Sequence, residues 1–203
     1  FHQLALLRKT YDAVRPDAAV ESEAVELTAA LVAIDSVNPG LVPGAAGEAA
    51  IVEHLRHRLS RGGFDTHVVQ APGHVGRPSP VAVSPAGAPG PTVVLTGHLD
   101  TVGVEGMPHP FTPAVEGDRL TGRGSSDMKG GVAMMVAAFL RANAEGLRPP
   151  GDILLAIVSD EEAGGDFGAK FLVEEHPDLF KNIRYAIGEF GGFTLQIKKK
   201  RFY

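Results

Sequence analysis

The hydrophobic positions in the first third of the chain repeat with helical spacing. Apolar residues recur three and four positions apart, as one face of an amphipathic helix requires. The pattern predicts three helices, over about Leu4–Val14, Glu21–Ser36 and Gly47–Ser60. Proline and glycine then mark the ends of the second and third helices, at Asn38-Pro39-Gly40 and Gly62-Gly63.

From about residue 65 the pattern changes to short apolar runs that are typical of strands. These runs predict strands over Asp65–Val69, Pro80–Val83, Thr92–Thr96, Ile153–Ser159 and Tyr185–Ile187. The segments between them predict a hairpin over Phe111–Thr121 and helices over Met128–Ala144 and Gly168–Glu175. Apolar strands that alternate with helices indicate an α/β fold, with a mostly parallel mixed sheet and helices on both faces. The Pro/Gly-rich stretch Pro72–Pro91 is interpreted as connections between short strands, and a disordered linker is the alternative.

Composition excludes several classes of protein. The chain has no cysteine, so disulfides and thiolate metal ligands are impossible. Its longest apolar run, Val132–Leu140, has nine residues and is too short for a membrane-spanning helix. We therefore expect a soluble, cytoplasmic protein with no membrane partner.

The charge distribution argues against a nucleic-acid partner. The formal net charge is −5, but four of the 19 basic residues form the run Lys198–Arg201. Residues 1–197 therefore carry 15 basic and 24 acidic groups, and such a surface repels a phosphate backbone. The basic run itself is either a contact for a polyanion or a solvated strand edge, and the solvated edge is the commoner case.

Polar residues with chemical potential cluster where the predicted strands end. The segments concerned contain His98 and Asp100, Asp160-Glu161-Glu162, and Glu189, while a glycine-rich loop brings Asp127 to the start of the long helix. Sites in open α/β sheets form at the carboxyl ends of the strands. We therefore expect His98 and the carboxylates of these segments to converge on one edge of the sheet.

A metal ion would relieve the repulsion among these carboxylates. Like charges raise each other's pKa, and no Lys or Arg stands at these strand ends, Arg123 and Lys129 being the nearest in sequence. Histidine with several carboxylates suits Zn²⁺, with Co²⁺ or Mn²⁺ as substitutes. Asp100, two residues after His98, is spaced to accept the second N–H of the imidazole. Of two adjacent glutamates, one can bind metal while the other takes a proton from water.

Each group also has a purely structural interpretation. A single histidine at a strand end is commonly only hydrogen-bonded, and Asp127 is a suitable N-cap for the helix that follows it. The acidic run Asp160-Glu161-Glu162 also fits a solvated turn. Taken together, the three strand ends and the helix start favour the metal site.

Four segments also resemble the motif set of a known family in their order and spacing. They are GHLDTV (97–102), GRGSSDMKGG (122–131), SDEEAGG (159–165) and AIGE (186–189). Over about residues 20–200 the chain resembles the M20 metallopeptidases, the group of acetylornithine deacetylase, succinyl-diaminopimelate desuccinylase and carboxypeptidase G2. The resemblance implies a two-zinc hydrolase that cleaves the amide bond of an N-acyl amino acid or short peptide.

The resemblance also implies a role for each candidate residue. It places metal ligands at His98, Asp127, Glu162 and Glu189, with Asp127 bridging two zinc ions and His98 sharing one zinc with Glu189. Asp100 would orient His98, and Glu161 would be the general base that activates a water between the metals. The Asp127–Met128 peptide bond is expected to be cis.

The resemblance further implies that these residues are one portion of a longer protein. Residues 1–192 correspond to the N-terminal part of the catalytic domain and 193–203 to the start of a lid domain, so the lid and the C-terminal half are expected to be missing. In the family a downstream histidine completes the second metal site, whereas all eight histidines here lie at or before His176, and Phe190 stands where the family has proline. We expect a homodimer at full length; the alternative is an inactive fragment or a partner-dependent binding relative.

Overall fold

The computed structural model describes residues 18–189, 195–197 and 200–202. Several features of the sequence analysis lie outside these residues. They are the predicted helix over Leu4–Val14, the predicted domain boundary at 192/193, and the residues Phe190, Lys198 and Lys199. The helices are α1 (Ala18–Val32), α2 (Ala49–Arg61), α3 (Lys129–Ala144) and α4 (Phe171–Glu175). The strands are β1 (Thr66–Gln70), β2 (Pro78–Ser84), β3 (Thr92–His98), β4 (Ala114–Glu116), β5 (Arg119–Thr121), β6 (Ile153–Val158), β7 (Ile183–Ile187), β8 (Leu195–Ile197) and β9 (Lys200–Phe202).

Five of the strands form one sheet in the order β1-β2-β6-β3-β7. Strand β3 pairs in parallel with both β6 and β7, whereas β2 is antiparallel to both β1 and β6. Four strands therefore run in one direction and β2 runs in the other, which confirms the predicted mostly parallel mixed sheet. The central strand β6 is apolar throughout, because helices cover it on both sides.

Apolar side chains fill both faces of this sheet. On one face Leu31 of α1, Leu55 of α2 and Val136 of α3 belong to a buried cluster with Leu155 and Ile157 of β6. On the other face Leu172 of α4 is buried with apolar side chains from β2, β3 and β6. Helices thus lie on both faces, as predicted, and the carboxyl ends of β3, β6 and β7 share one edge.

Two sequence predictions need correction in their details. Helix α1 ends at Val32 rather than at Ser36, because Ser36–Asn38 pair with the segment after β3: Val37 bridges Thr101, and Ser36 Oγ donates to the Leu99 carbonyl. Strand β7 was expected to be covered on both faces, but Tyr185 and Ile187 are exposed, because β7 is an edge of the described sheet.

The remaining connections follow the turn residues. Strands β4 and β5 form the predicted hairpin around Gly117, and β8 and β9 form a second two-stranded sheet. Strand β2 crosses the Pro/Gly-rich stretch, which contradicts the disordered-linker interpretation there. Among the helices of the described residues, none combines the length and the apolar character needed to cross a membrane.

Candidate metal centre

His98 is the last residue of β3, and the register of the sheet brings it next to two other strand ends. It pairs with Val158 of β6, so the acidic run that follows β6 lies beside Asp100. On the other side Leu95 pairs with Ile187, which places Glu189 two residues beyond the paired end of β7. Parallel strands therefore deliver residues that are about 60 and 90 positions apart to one edge, as the sequence predicted.

Asp127 reaches the same edge from the start of α3. The Asp127–Met128 peptide bond is cis, as the family resemblance implied. Met128 is buried and packs under the end of β3, where a Cβ on Gly97 would lie only 2.9 Å from Met128 Cε. Glycine at position 97 thus permits the close approach that sets Asp127 beside His98. Met128, the residue before α3, forms no side-chain capping hydrogen bond. The helix therefore does not begin with an ordinary side-chain N-cap.

Three candidate ligands converge at this point, and we call them the ligand cluster: His98, Asp127 and Glu189. His98 Nε2 lies 2.9 Å from Asp127 Oδ1 and 3.4 Å from Glu189 Oε2, and a donor atom from each of the three residues lies within 4.8 Å of the other two. His98 is buried, whereas the side chains of Asp127 and Glu189 are 61% and 40% exposed, so the group opens to solvent on the carboxylate side. One imidazole nitrogen with two carboxylate oxygens is a donor set that fits a divalent transition-metal ion.

The two glutamates after β6 diverge, as their adjacency requires. Glu161 is half exposed, and its Oε2 lies 3.6 Å from His98 Nε2. Glu162 lines a cleft of about 130 Å³ together with Asp127 and the glycine-rich loop over 122–126. Glu161 thus lies beside His98, whereas Glu162 lines the same cleft as Asp127.

Asp100 links His98 to the Glu161–Glu162 turn. His98 Nδ1 lies 3.0 Å from the Asp100 carbonyl oxygen and 3.5 Å from its carboxylate. The buried Asp100 carboxylate accepts the main-chain N–H groups of Glu161 and Glu162 at 3.1 and 3.0 Å, and Nδ2 of Asn38 at 2.6 Å. With Nδ1 directed at Asp100, Nε2 is left to face the ligand cluster, an arrangement typical of metal-binding histidines.

Burial and charge perturb the titration of these groups. Burial opposes protonation of His98, but the hydrogen bond and charge of Asp100 and the charge of Glu161 raise its pKa to about 9. Burial also opposes ionisation of Asp100, but hydrogen bonds from His98, Asn38 and the Glu162 amide hold its pKa below the usual range. The pKa values of Glu162 and Glu189 are raised, in each case by burial and then by the negative charge of Asp127. The cluster is thus rich in negative charge, and a bound cation would offset that charge.

Two buried cations near the site, Lys129 and Arg77, bind groups other than the three converging ligands. Lys129 is fully buried and donates from Nζ to the Ile34 carbonyl at 2.8 Å, and burial lowers its pKa to about 8. Arg77, which the sequence analysis did not identify, binds Asp160: its Nη2 lies 2.6 Å from Asp160 Oδ1. Asp160 is therefore neither in the ligand cluster nor in a solvated turn, because it is buried and paired with Arg77.

Sequence reasoning also missed Asn38 and Glu48, which are buried next to the site. The sequence pattern predicts only a helix stop at Asn38, and it places Glu48 near the start of the predicted helix over Gly47–Ser60. The sequence signal for these two residues is weak. Asn38 is a polar residue directly before Pro39-Gly40, and Glu48 is a polar residue at the start of a helix whose buried residues include Ile51, Val52 and Leu55.

Comparison with known proteins identifies the family to which the four motifs are similar. The model of the family described as peptidase family M20/M25/M40 matches residues 94–197, which span all four motifs. A curated relative, succinyl-diaminopimelate desuccinylase of Gluconobacter oxydans (strain 621H), is 37% identical over 156 residues, 75% of this chain and 38% of that protein. The chain thus spans about two fifths of the length of the curated relatives that it matches.

Solved structures agree at the level of the fold. Human carnosine dipeptidase 1 superposes with a TM-score of 0.69 at 25% identity, over 83% of this chain and 38% of that one. The M20 family metallo-carboxypeptidase Sso-CP2 of Sulfolobus solfataricus gives a TM-score of 0.70 at 20% identity, over 84% and 38% of the two chains. The sheet and helices that carry the strand-end residues are therefore shared with both structures.

Proposed function

Because the chain belongs to peptidase family M20/M25/M40, we propose that it carries the metal ligands and general base of a zinc-dependent hydrolase. The substrate would be an N-acyl amino acid or a short peptide, cleaved at its amide bond. The names of the relatives, a desuccinylase and a dipeptidase, support this substrate class. The observation that carries the proposal is the convergence of His98 Nε2, Asp127 and Glu189 within 4.8 Å, with Glu161 adjacent.

The residues present fit a zinc site. His98 and Glu189 would hold one ion, Asp127 would contact it and a second ion, and Glu162 would contribute to the second. Zinc, when bound, supplies a Lewis acid that polarises the scissile carbonyl and lowers the pKa of water. The strand register supports this assignment, because it brings His98 and Glu189 to the same edge of the sheet.

Glu161 would provide the proton transfer that amide hydrolysis needs. Its carboxylate is half exposed and lies 3.6 Å from His98 Nε2, so it faces the open side of the cluster. It would accept a proton from the water whose oxygen attacks the carbonyl carbon. It would then deliver that proton to the amide nitrogen as the C–N bond breaks, which releases a carboxylate and an amine.

Replacement of Glu161 by Gln tests the role directly, with Glu174→Gln on the exposed face of α4 as the matched control. In the full-length protein, kcat of Glu161→Gln on a panel of N-succinyl and N-acetyl amino acids and dipeptides should fall about 10² to 10⁴-fold. Zinc content, measured by atomic absorption, should stay unchanged. A Glu161→Gln enzyme that keeps its activity on every substrate that the unmodified enzyme cleaves would exclude Glu161 as the base.

The finer expectations are separate proposals with separate tests. Two zinc ions per protomer, rather than one, would be counted by metal analysis of the purified protein. A homodimer of the full-length protein would be seen by sedimentation equilibrium, and a cytoplasmic location by cell fractionation. The division into a catalytic part over 1–192 and a lid from 193 would be tested by limited proteolysis near that boundary.

A further inference from the structure

Three buried charged residues lie directly beneath the Glu161–Glu162 turn. We call them the buried triad: Glu48, Arg77 and Asp160, which are 0%, 5% and 2% exposed. Arg77 Nε lies 3.0 Å from Glu48 Oε2, and Arg77 Nη2 lies 2.6 Å from Asp160 Oδ1. One guanidinium thus holds two carboxylates that come from distant parts of the sequence. A planar fork of N–H donors suits this geometry better than an ammonium group does.

The buried triad is bonded to the main chain on both sides of the turn. The N–H of Asp160 donates to Glu48 Oε1 at 3.0 Å, and the N–H of Phe167 donates to Asp160 Oδ2 at 3.0 Å. Asp160 itself has a left-handed backbone, with φ of 65°, in which a non-glycine residue needs support from its surroundings. The segment that carries Glu161 and Glu162 is therefore fixed at its beginning and at its end by one buried ion network.

The network also reaches the residue that orients His98. Asn38 Nδ2 lies 2.6 Å from Asp100 Oδ2 and 3.4 Å from Asp160 Oδ1, so its amide lies between the two aspartates. Asp100 in turn accepts the N–H groups of Glu161 and Glu162. A displacement of Asp160 would therefore be transmitted to both glutamates and to Asp100.

We propose that the buried triad positions the reaction's general base and second-metal ligand, with Arg77 as the residue that fixes the direction of the Glu161–Glu162 turn. This inference rests on the proposed function, because the roles of the two glutamates come from it. Buried ion pairs contribute little net stability compared with apolar residues of similar size. A gain in stability therefore does not explain well why three charged residues are buried at this position. A fixed turn geometry is a stronger explanation, since a shift of about 1 Å in a catalytic group costs about a hundredfold in rate.

The test compares Arg77→Met, Arg77→Lys and the control Arg58→Met in the full-length protein. Arg58 also pairs with a glutamate, Glu23, but at the helix surface away from the site. Both Arg77 variants should lower kcat about tenfold to a hundredfold while KM changes by less than about threefold. Arg77→Lys keeps the positive charge, so its melting temperature should fall only slightly. A loss of kcat in this variant would therefore reflect a displaced Glu161–Glu162 turn rather than unfolding. Unchanged kcat in Arg77→Lys, or a loss of kcat no greater than that of Arg58→Met, would overturn the proposal.

A second readout does not depend on hydrolysis. Amide hydrogen exchange over residues 160–168 in the metal-free protein should be faster in Arg77→Lys than in the unmodified protein and unchanged in Arg58→Met. Unchanged exchange in Arg77→Lys would overturn the proposal even if the enzyme were active. If the unmodified protein cleaves none of the substrates, the proposed function fails, whereas the exchange measurement still decides whether Arg77 holds the turn.

Discussion

Replacement of Asp100 by Asn probes the junction between the histidine and the turn. The substitution keeps the size of the side chain and removes its charge. The carboxylate accepts the Glu161 N–H on Oδ1 and both Asn38 Nδ2 and the Glu162 N–H on Oδ2, while His98 Nδ1 lies farther away, 3.5 Å from Oδ1. An Asn side chain offers one oxygen, so in either orientation its NH₂ group faces at least one of these donors.

The cost of Asp100→Asn follows from those contacts. The less damaging orientation places the NH₂ group where Oδ1 stood, which loses the Glu161 N–H bond and keeps the two bonds on the other oxygen. A hydrogen bond to a charged group is worth about 1.5 to 3 kcal/mol, and the two bonds that remain lose their charge assistance. We therefore expect the free energy of unfolding to fall by about 2 to 4 kcal/mol.

The assay for Asp100→Asn is urea denaturation of the metal-free protein, so that any loss of metal binding does not contribute. Asp166→Asn is the matched control, because Asp166 is exposed and its ion pair with Lys170 lies at the surface. That control should change the free energy of unfolding by less than about 1 kcal/mol. A change below about 0.5 kcal/mol in Asp100→Asn would refute the assignment of Asp100 as the acceptor that holds the turn.

Three further predictions concern the groups around this junction. Gly168→Ala should destabilise the protein by about 1 to 3 kcal/mol in urea denaturation, because the added Cβ would lie 1.8 Å from the Ser159 carbonyl oxygen; an unchanged midpoint would contradict this contact. The pKa of Glu48 is raised above 4.5, mainly by burial, so its contribution to stability is present below that pH and is lost as pH rises through the folded-state pKa. Relative to Glu48→Gln in EDTA, the unmodified protein should therefore lose stability as the pH rises from below 4.5 through the raised pKa of Glu48, and a stability difference that does not change with pH would contradict the shift. Zinc at about 100 times its Kd should stabilise the protein by about 2.7 kcal/mol and should not stabilise His98→Ala, whereas the exposed control His57→Ala should respond as the unmodified protein does.

The sequence predicted the strand-end residues because their signal is local. An apolar run identifies a buried strand, and the polar residues directly after it, such as His98 and Glu189, fall at the strand's carboxyl end. Parallel pairing of β3 with β6 and β7 then brings the strand ends together without further information. The convergence of His98 and Glu189 was therefore predictable from periodicity and one rule about α/β sheets, whereas Asp127 joins them from the start of α3.

The contacts beneath the site were not predictable in the same way, because their signal is not local. Asn38 lies next to Asp100 only because α1 stops at Val32 and the chain then pairs with Thr101. The hydrophobic pattern continues to Ile34, so periodicity favoured a longer helix. The competition was decided by tertiary hydrogen bonds, such as that from the Asn38 N–H to the Thr101 carbonyl, which a helical pattern does not encode.

The reversed strand β2 explains how a cation reaches this edge of the sheet. In parallel strands the first residues lie at the edge opposite the site, so a residue that precedes such a strand cannot contact the acidic turn. Strand β2 is antiparallel to β6, with Val81 opposite Ala156, and extension of that register places Arg77 opposite Asp160. At that position Arg77 Nη2 lies 2.6 Å from Asp160 Oδ1. A slip of one residue would place Pro78, which has no charge, opposite Asp160, so the register of β2 is part of what fixes the turn that carries Glu161.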